Sequence, residues 1–195
     1  MTEQQWEKKL KINTTGRDAS HADAYRYPYE PTPYSVLERL ADSGFLGPDN
    51  IVVDYGCGRG RVGFFLSYRV GCRSIGIEYD GVVYAQAVEN RRTFTGKVPV
   101  ELICDRAEAV SVEGADCFYF FNPFSLEVLQ SVFGRILESY YAAPRTMRLF
   151  FYYPSEEYRS WLMTRRDLQF LTELDCRDLF DGMDPRERIL IFEIA

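Results

Sequence analysis

The feature that most constrains this chain is a glycine loop set between an apolar run and a helical pattern. Ile51-Val52-Val53 is wholly apolar, as in a parallel strand buried on both faces. It leads into Asp54-Tyr55-Gly56-Cys57-Gly58-Arg59-Gly60, after which helical spacing carries Val62, Phe65 and Leu66. Glycines at 56, 58 and 60 permit a tight turn and a close approach of backbone to a ligand. The helix start behind them presents unpaired N–H groups. A strand, glycine loop and helix in this order belong to an α/β sheet that binds a ligand at its carboxyl edge.

The rest of the chain repeats the alternation. Short apolar runs predict strands over 74–77, 98–104, 117–121 and 147–153. Helical spacing covers about 81–94 and 155–165, and places Leu129, Val132, Phe133, Ile136, Leu137 and Tyr140 on one face. Two final runs, 168–179 and 188–194, are strand-like with only the turn residues Asp181-Gly182-Met183-Asp184-Pro185 between them. Repeated β-then-α units ending in a hairpin predict a mostly parallel sheet with one antiparallel strand.

The chain has 195 residues, 46% hydrophobic and 27% charged, which is the composition of one globular domain rather than a disordered chain. Residues 31–195 are expected to form that single domain. Residues 1–30 read as a polar tail followed by an aromatic patch, in which Tyr25, Tyr27, Tyr29 and Tyr34 sit among Pro28, Pro31 and Pro33. The patch reads either as a lid that excludes water or as an aromatic strap on the sheet. Thr32 or Ser35 is placed to cap the helix that follows. No apolar run is long enough to span a membrane, and the first residues lack a signal-peptide core, so a cytoplasmic protein is expected. Five widely spaced cysteines without a CxxC pair, and His21 as the sole histidine, leave no zinc ligand set, disulfide framework or Cys-His pair. The cysteines are expected to be free and buried. The net charge of −6 disfavours nucleic acid as a partner and leaves a small molecule or a protein as acceptor.

Acidic residues decide which ligand the glycine loop takes. Asp54 stands at the strand's end, where a carboxylate suits an ammonium group and repels phosphate. Gly58-x-Gly60-x-x-Gly63 also satisfies the dinucleotide fingerprint, so a nicotinamide oxidoreductase is the rival reading. S-adenosylmethionine carries an amino group and no phosphate, and fits better. Glu78, ending the second strand, can accept both ribose hydroxyls. Asp105, after the third, can accept from an adenine amino group, and Tyr79 can pack on the cofactor. The fourth strand ends in Asn122-Pro123-Phe124, where an amide oxygen, a carbonyl and an aromatic face suit an amine.

Taken together these residues resemble the class I S-adenosylmethionine-dependent methyltransferases. The resemblance covers residues 50 to 125, through Asp54 to Gly60, Gly76-Ile77-Glu78, Asp105 and Asn122-Pro123-Phe124. It implies a Rossmann-like, mostly parallel seven-stranded sheet with helices on both faces and a C-terminal antiparallel hairpin. It also implies cofactor contacts from Asp54, Gly56, Gly58, Gly60, Glu78, Tyr79 and Asp105. Tyr29-Glu30-Pro31-Thr32-Pro33 is similar to the Thr-Pro segment of amino-group methyltransferases. By that likeness Thr32 and Pro33 line the cofactor, and Asn122, Pro123 and Phe124 hold an acceptor amine. The second proline of that family's Asn-Pro-Pro-aromatic motif is absent here. A non-catalytic methyltransferase-like subunit that binds a partner is a further alternative.

Overall fold

The computed structural model describes residues 1–17 and 29–195. The chain opens with α1 (Glu3–Leu10) and α2 (Tyr34–Ala41). Strand and helix then alternate through β1 (Ile51–Tyr55), α3 (Arg61–Arg69), β2 (Arg73–Glu78), α4 (Gly81–Thr93) and β3 (Val100–Cys104). The second half continues with β4 (Cys117–Phe120), α5 (Leu126–Ala142), β5 (Arg148–Tyr152), α6 (Glu156–Met163), β6 (Leu168–Asp175) and β7 (Arg188–Ile194). One seven-stranded sheet runs in the order β3-β2-β1-β4-β5-β7-β6. Pairings are parallel from β3 to β5, and β7 is antiparallel to both its neighbours. The expected mostly parallel sheet with a closing hairpin is therefore what the chain builds.

Alternation along the central strands divides the core between two faces. Val52, Tyr119, Phe150 and Tyr152 join a cluster with residues of α1, α2, α3 and α4. Val53, Tyr55, Phe118, Phe120 and Phe151 join another with α5 and α6. Helix starts are set by local chemistry. Asp80 caps α4 by accepting from the N–H groups of Val82 and Val83, and Ser125 and Ser155 cap α5 and α6. The N-cap of α2 is Pro33, without a side-chain cap, so neither Thr32 nor Ser35 plays that part. The Thr32 hydroxyl turns instead toward β4.

The first residues depart from the expected polar tail. Thr2 and Gln5 close a capping box, and Trp6 and Leu10 are buried in the core against Tyr34 and Phe65. Only two apolar residues of α1 are needed, one turn apart, so composition hides the helix. Tyr25, Tyr27, Pro28 and His21, and with them most of the expected lid, lie outside the described residues. The strand expected over 168–179 stops at Asp175 and gives way to a short 3₁₀ turn, Arg177–Leu179. Cys57, Cys72, Cys117 and Cys176 are buried and free, whereas Cys104 is free but exposed at the end of β3. Among the described residues no helix is long and apolar enough to cross a membrane.

Candidate functional site

Strand order reverses between β1 and β4, each followed by a helix on the opposite face of the sheet, and a crevice opens at their carboxyl ends. The glycine loop forms one wall. Gly56, Gly58 and Gly60 all have positive φ, which only glycine adopts without strain. The loop is also crowded. A Cβ at Gly56 would lie 2.6 Å from the Pro123 ring, and one at Gly58 would strike the ring of Tyr29. The Tyr29 hydroxyl donates to the Thr14 carbonyl at 2.6 Å, and Arg59 stacks over its ring. Burial pushes the Tyr29 phenol well up, so it stays a neutral donor.

Asp54 lies at the crevice floor and is 3% exposed. Its Oδ2 is buried and has no hydrogen-bond partner among the described residues. Burial first, and the nearby Glu78 carboxylate second, push its carboxyl up to about 8. An orphaned buried oxygen of this kind is costly unless a ligand completes it. Glu78 lies close by and is tied into the backbone. Its Oε2 accepts from the Gly58 N–H and its Oε1 from the Asp80 N–H, each at 2.9 Å. The Tyr79 N–H also bonds this carboxylate, which lines the crevice. Burial raises the Glu78 carboxyl above its ordinary value, against the lowering effect of these bonds. The single carboxylate thus ties the glycine loop to the start of α4.

Tyr79 and Asp105 line the same crevice from its exposed side. Asp105 Oδ1 accepts from the Arg106 N–H at 2.7 Å, and the Asp105 N–H donates to the Glu78 carbonyl at 3.2 Å. Thr32 lines the floor. Pro33 begins α2 just beyond it and is not among the lining residues.

Asn122, Pro123 and Phe124 reach the crevice as a group, but with their polar atoms committed. Asn122 Nδ2 donates to the Tyr153 carbonyl, and its Oδ1 accepts from the Ser155 N–H at 3.1 Å. Asn122 and Tyr153 both have positive φ, 40° and 50°. The amide expected to face an amine is thus first a brace between the ends of β4 and β5. Phe124 is 4% exposed and packs edge-on against Tyr55 and Phe120, while its carbonyl accepts from the Tyr158 hydroxyl at 2.5 Å. Its ring is core more than open aromatic wall. Pro123 rests on Gly56, so the two motifs touch.

The site has a component absent from the sequence reading. Arg61 opens α3 directly after the glycine loop, and its side chain is 4% exposed. Its Nε donates to Thr14 Oγ1 at 2.7 Å, and its Nη1 to Glu3 at 2.5 Å and to the Thr32 carbonyl at 3.1 Å. Its Nη2 donates to Glu7 at 3.2 Å. The guanidinium also stacks on Tyr34. Glu3 and Glu7, one turn apart on α1, therefore fasten the first helix to the loop. The only sequence signal was their four-residue spacing behind a Thr2-x-x-Gln5 box.

Among the described residues no cluster of His, Cys, Asp and Glu is arranged to hold a metal. The site instead offers a glycine cradle, a buried carboxyl with one orphaned oxygen, a second carboxylate at the end of β2 and a rim formed by Tyr79 and Asp105. No protein-family model matches the chain. Over 116 residues it is 33% identical to zinc finger CCCH domain-containing protein 24 of Arabidopsis thaliana, a match spanning 53% of this chain and 14% of that protein. Among solved structures it is similar to an RNA methyltransferase from Salinibacter ruber in complex with S-adenosyl-L-homocysteine. The identity is 17%, over 85% of this chain and 94% of that one, with a TM-score of 0.66. A TehB-like SAM-dependent methyltransferase from Corynebacterium glutamicum superposes with a TM-score of 0.58 at 15% identity, over 82% of this chain and 88% of that one. A tRNA (uracil-54, C5)-methyltransferase from Pyrococcus abyssi, in complex with the same product, gives 0.56 at 15% identity, over 86% of this chain and 40% of that one. At these identities the likeness is one of fold, and the fold is that of the class I S-adenosylmethionine-dependent methyltransferases.

Proposed function

We propose that this chain binds S-adenosylmethionine at the β1–β4 crevice and transfers its methyl group to an amine. The observation that carries the reading is the orphaned, buried oxygen of Asp54 beside the glycine loop. It suits the ammonium of the cofactor's amino-acid end. The pyrophosphate of a nicotinamide cofactor would instead meet Asp54 as a repelling neighbour, whereas Glu78 would suit the ribose of either ligand. When bound, S-adenosylmethionine supplies a methyl group on a sulfonium, ready for direct displacement.

The remaining work falls to the chain's own residues. Glu78 holds the ribose hydroxyls, and Tyr79 and Asp105 receive the adenine. Gly56 lets Pro123 come close enough for the acceptor and the cofactor to share one crevice, and such alignment is a large source of rate. Asn122 braces the acceptor rim through Tyr153 and Ser155, while its second Oδ1 lone pair and the Pro123 carbonyl orient the amine without protonating it. The acceptor is a small molecule or a protein amine. The RNA methyltransferases that share the fold place RNA fractions beside these in the screen.

The test is calorimetry followed by labelling. Purified protein is expected to bind S-adenosylmethionine and S-adenosylhomocysteine at micromolar levels and to ignore NAD. Radiolabelled cofactor incubated with small-molecule, protein and RNA fractions then identifies the acceptor. Binding of NAD with neither adenosyl ligand would overturn the reading.

A further inference from the structure

Away from the crevice, the charge of the chain changes sign at one place. α4 leaves the carboxyl end of β2, where Asp80 lines the crevice, and its 13 residues carry the chain about 20 Å to Thr93. There the segment after α1 is fastened to it. The Thr93 hydroxyl donates to the Lys11 carbonyl at 2.5 Å and the Thr95 hydroxyl to the Lys9 carbonyl at 2.9 Å. Asn90 exchanges two further bonds with the Asn13 backbone. These ties bring together Lys8, Lys9, Lys11, Arg91, Arg92 and Lys97, all of them exposed. The chain has only four lysines, and all four are here. Arginines elsewhere are commonly closed by a carboxylate, as Arg39, Arg69 and Arg135 are. In this group only Arg92 has such a partner among the described residues, Glu89, while the neighbouring Glu7 is turned inward to Arg61. The negative ends of two helix dipoles account for cations in the last turns of α1 and α4. Lys11 and Lys97 lie beyond those turns. From this surface a shallow groove lined by Lys8, Lys11, Asn13 and Thr15 leads back toward the glycine loop, where the Thr15 carbonyl accepts from Arg59 at 2.5 Å.

We propose that this surface binds the phosphate backbone of single-stranded RNA and leads the strand along the groove toward the crevice. The net charge of −6, which disfavours nucleic acid for the chain as a whole, hides this local reversal. A flexible polyanion with evenly spaced charges suits a cluster of free cations that continues as a groove, and unpaired loops are the part of RNA that proteins reach most readily. An anionic membrane is flat and would leave the groove unfilled, and of the exposed large hydrophobic side chains only Tyr68 is at this surface to enter it. The proposal goes beyond the reading of the crevice and holds whichever amine is methylated there.

Fluorescence anisotropy with a labelled single-stranded RNA of mixed sequence tests it on the full chain. The five cations without a carboxylate partner, at roughly 0.7 each on a single strand, predict a slope of log affinity against log salt of about −3.5. Replacing three of them together, Lys8→Gln, Lys11→Gln and Lys97→Gln, should flatten the slope to about −1.4 and weaken binding at about 0.1 M salt by roughly 10- to 100-fold. Lys9 is left in place because it lies over the Trp6 ring. Arg135→Gln with Arg159→Gln removes two cations that already have carboxylate partners, and should leave RNA binding within about 2-fold of wild type. An unchanged thermal midpoint shows that the triple variant is folded. If that variant keeps the wild-type slope and affinity, the proposal is overturned. It is overturned equally if phosphatidylserine-containing vesicles or polyglutamate bind wild type more tightly than the RNA does. S-adenosylhomocysteine binding is measured alongside: its absence from wild type would sink the cofactor reading and leave this surface standing.

Discussion

Asp54 illustrates how a single residue can be costly to the empty fold and useful to the loaded one. Its carboxyl is pushed up to about 8, whereas in an unfolded chain it titrates near 4. Between those values the folded state holds a proton that the unfolded state has lost. Stability contributed by Asp54 is therefore present below about pH 4 and declines as pH rises toward about 8. Asp54→Asn removes this penalty while keeping the shape. The ligand-free variant is expected to melt above wild type, with a gap that widens from pH 5 to pH 8.5, and to lose affinity for S-adenosylhomocysteine. Thermal scans at the two pH values check this, and an equal gap at both would refute the linkage. Asp54 was legible in the sequence because it stands before three glycines at a strand's end. The burial that raises its carboxyl was not, since it comes from β2 and β4 packed on either side.

Among the elements, α1 is the one whose role in the site exceeds its apparent weight. Its Glu7 is 12% exposed at the side chain and accepts from Arg61 Nη2, from the Tyr34 hydroxyl at 2.8 Å and from the Thr14 N–H at 2.7 Å. Glu7→Ala leaves a buried guanidinium short of a partner and three further donors unsatisfied, the Tyr34 hydroxyl and the N–H and hydroxyl of Thr14. Breaking a buried pair in this way costs about 3–5 kcal/mol, and urea unfolding should show it as a lower midpoint. A midpoint within error of wild type would mean that Glu3 alone holds Arg61. This network was out of reach of sequence reading because Glu7 and Arg61 are far apart along the chain, and nothing local marks them as partners. The same holds for Asn122 and Tyr153, whose joined left-handed backbones brace β4 against β5. The strands of the alternating middle were legible from their apolar runs, and α4, α5 and α6 from helical spacing behind an Asp or Ser cap.

The whole molecule places its binding crevice where the order of strands reverses, so a ligand there touches both halves of the sheet at once. Such a ligand stabilises the native state by mass action, by about 2.7 kcal/mol at a hundredfold excess over Kd. For a chain of this size that corresponds to a rise in Tm of roughly 5–10 °C. S-adenosylhomocysteine is expected to give such a shift in a thermal scan and NAD none; the absence of a shift at saturating S-adenosylhomocysteine would count against the crevice as its site. Fold class and sheet polarity were readable from the order of elements, while the contact between the glycine loop and the Asn122-Pro123 turn was not. That contact has an evolutionary consequence. Because the Pro123 ring occupies the space a side chain at position 56 would need, and φ there is +69°, position 56 is held to glycine twice over. A lineage that gains a side chain at 56 must both give up the ring at 123 and rebuild the turn after β1, so the loops that end β1 and β4 constrain each other's history.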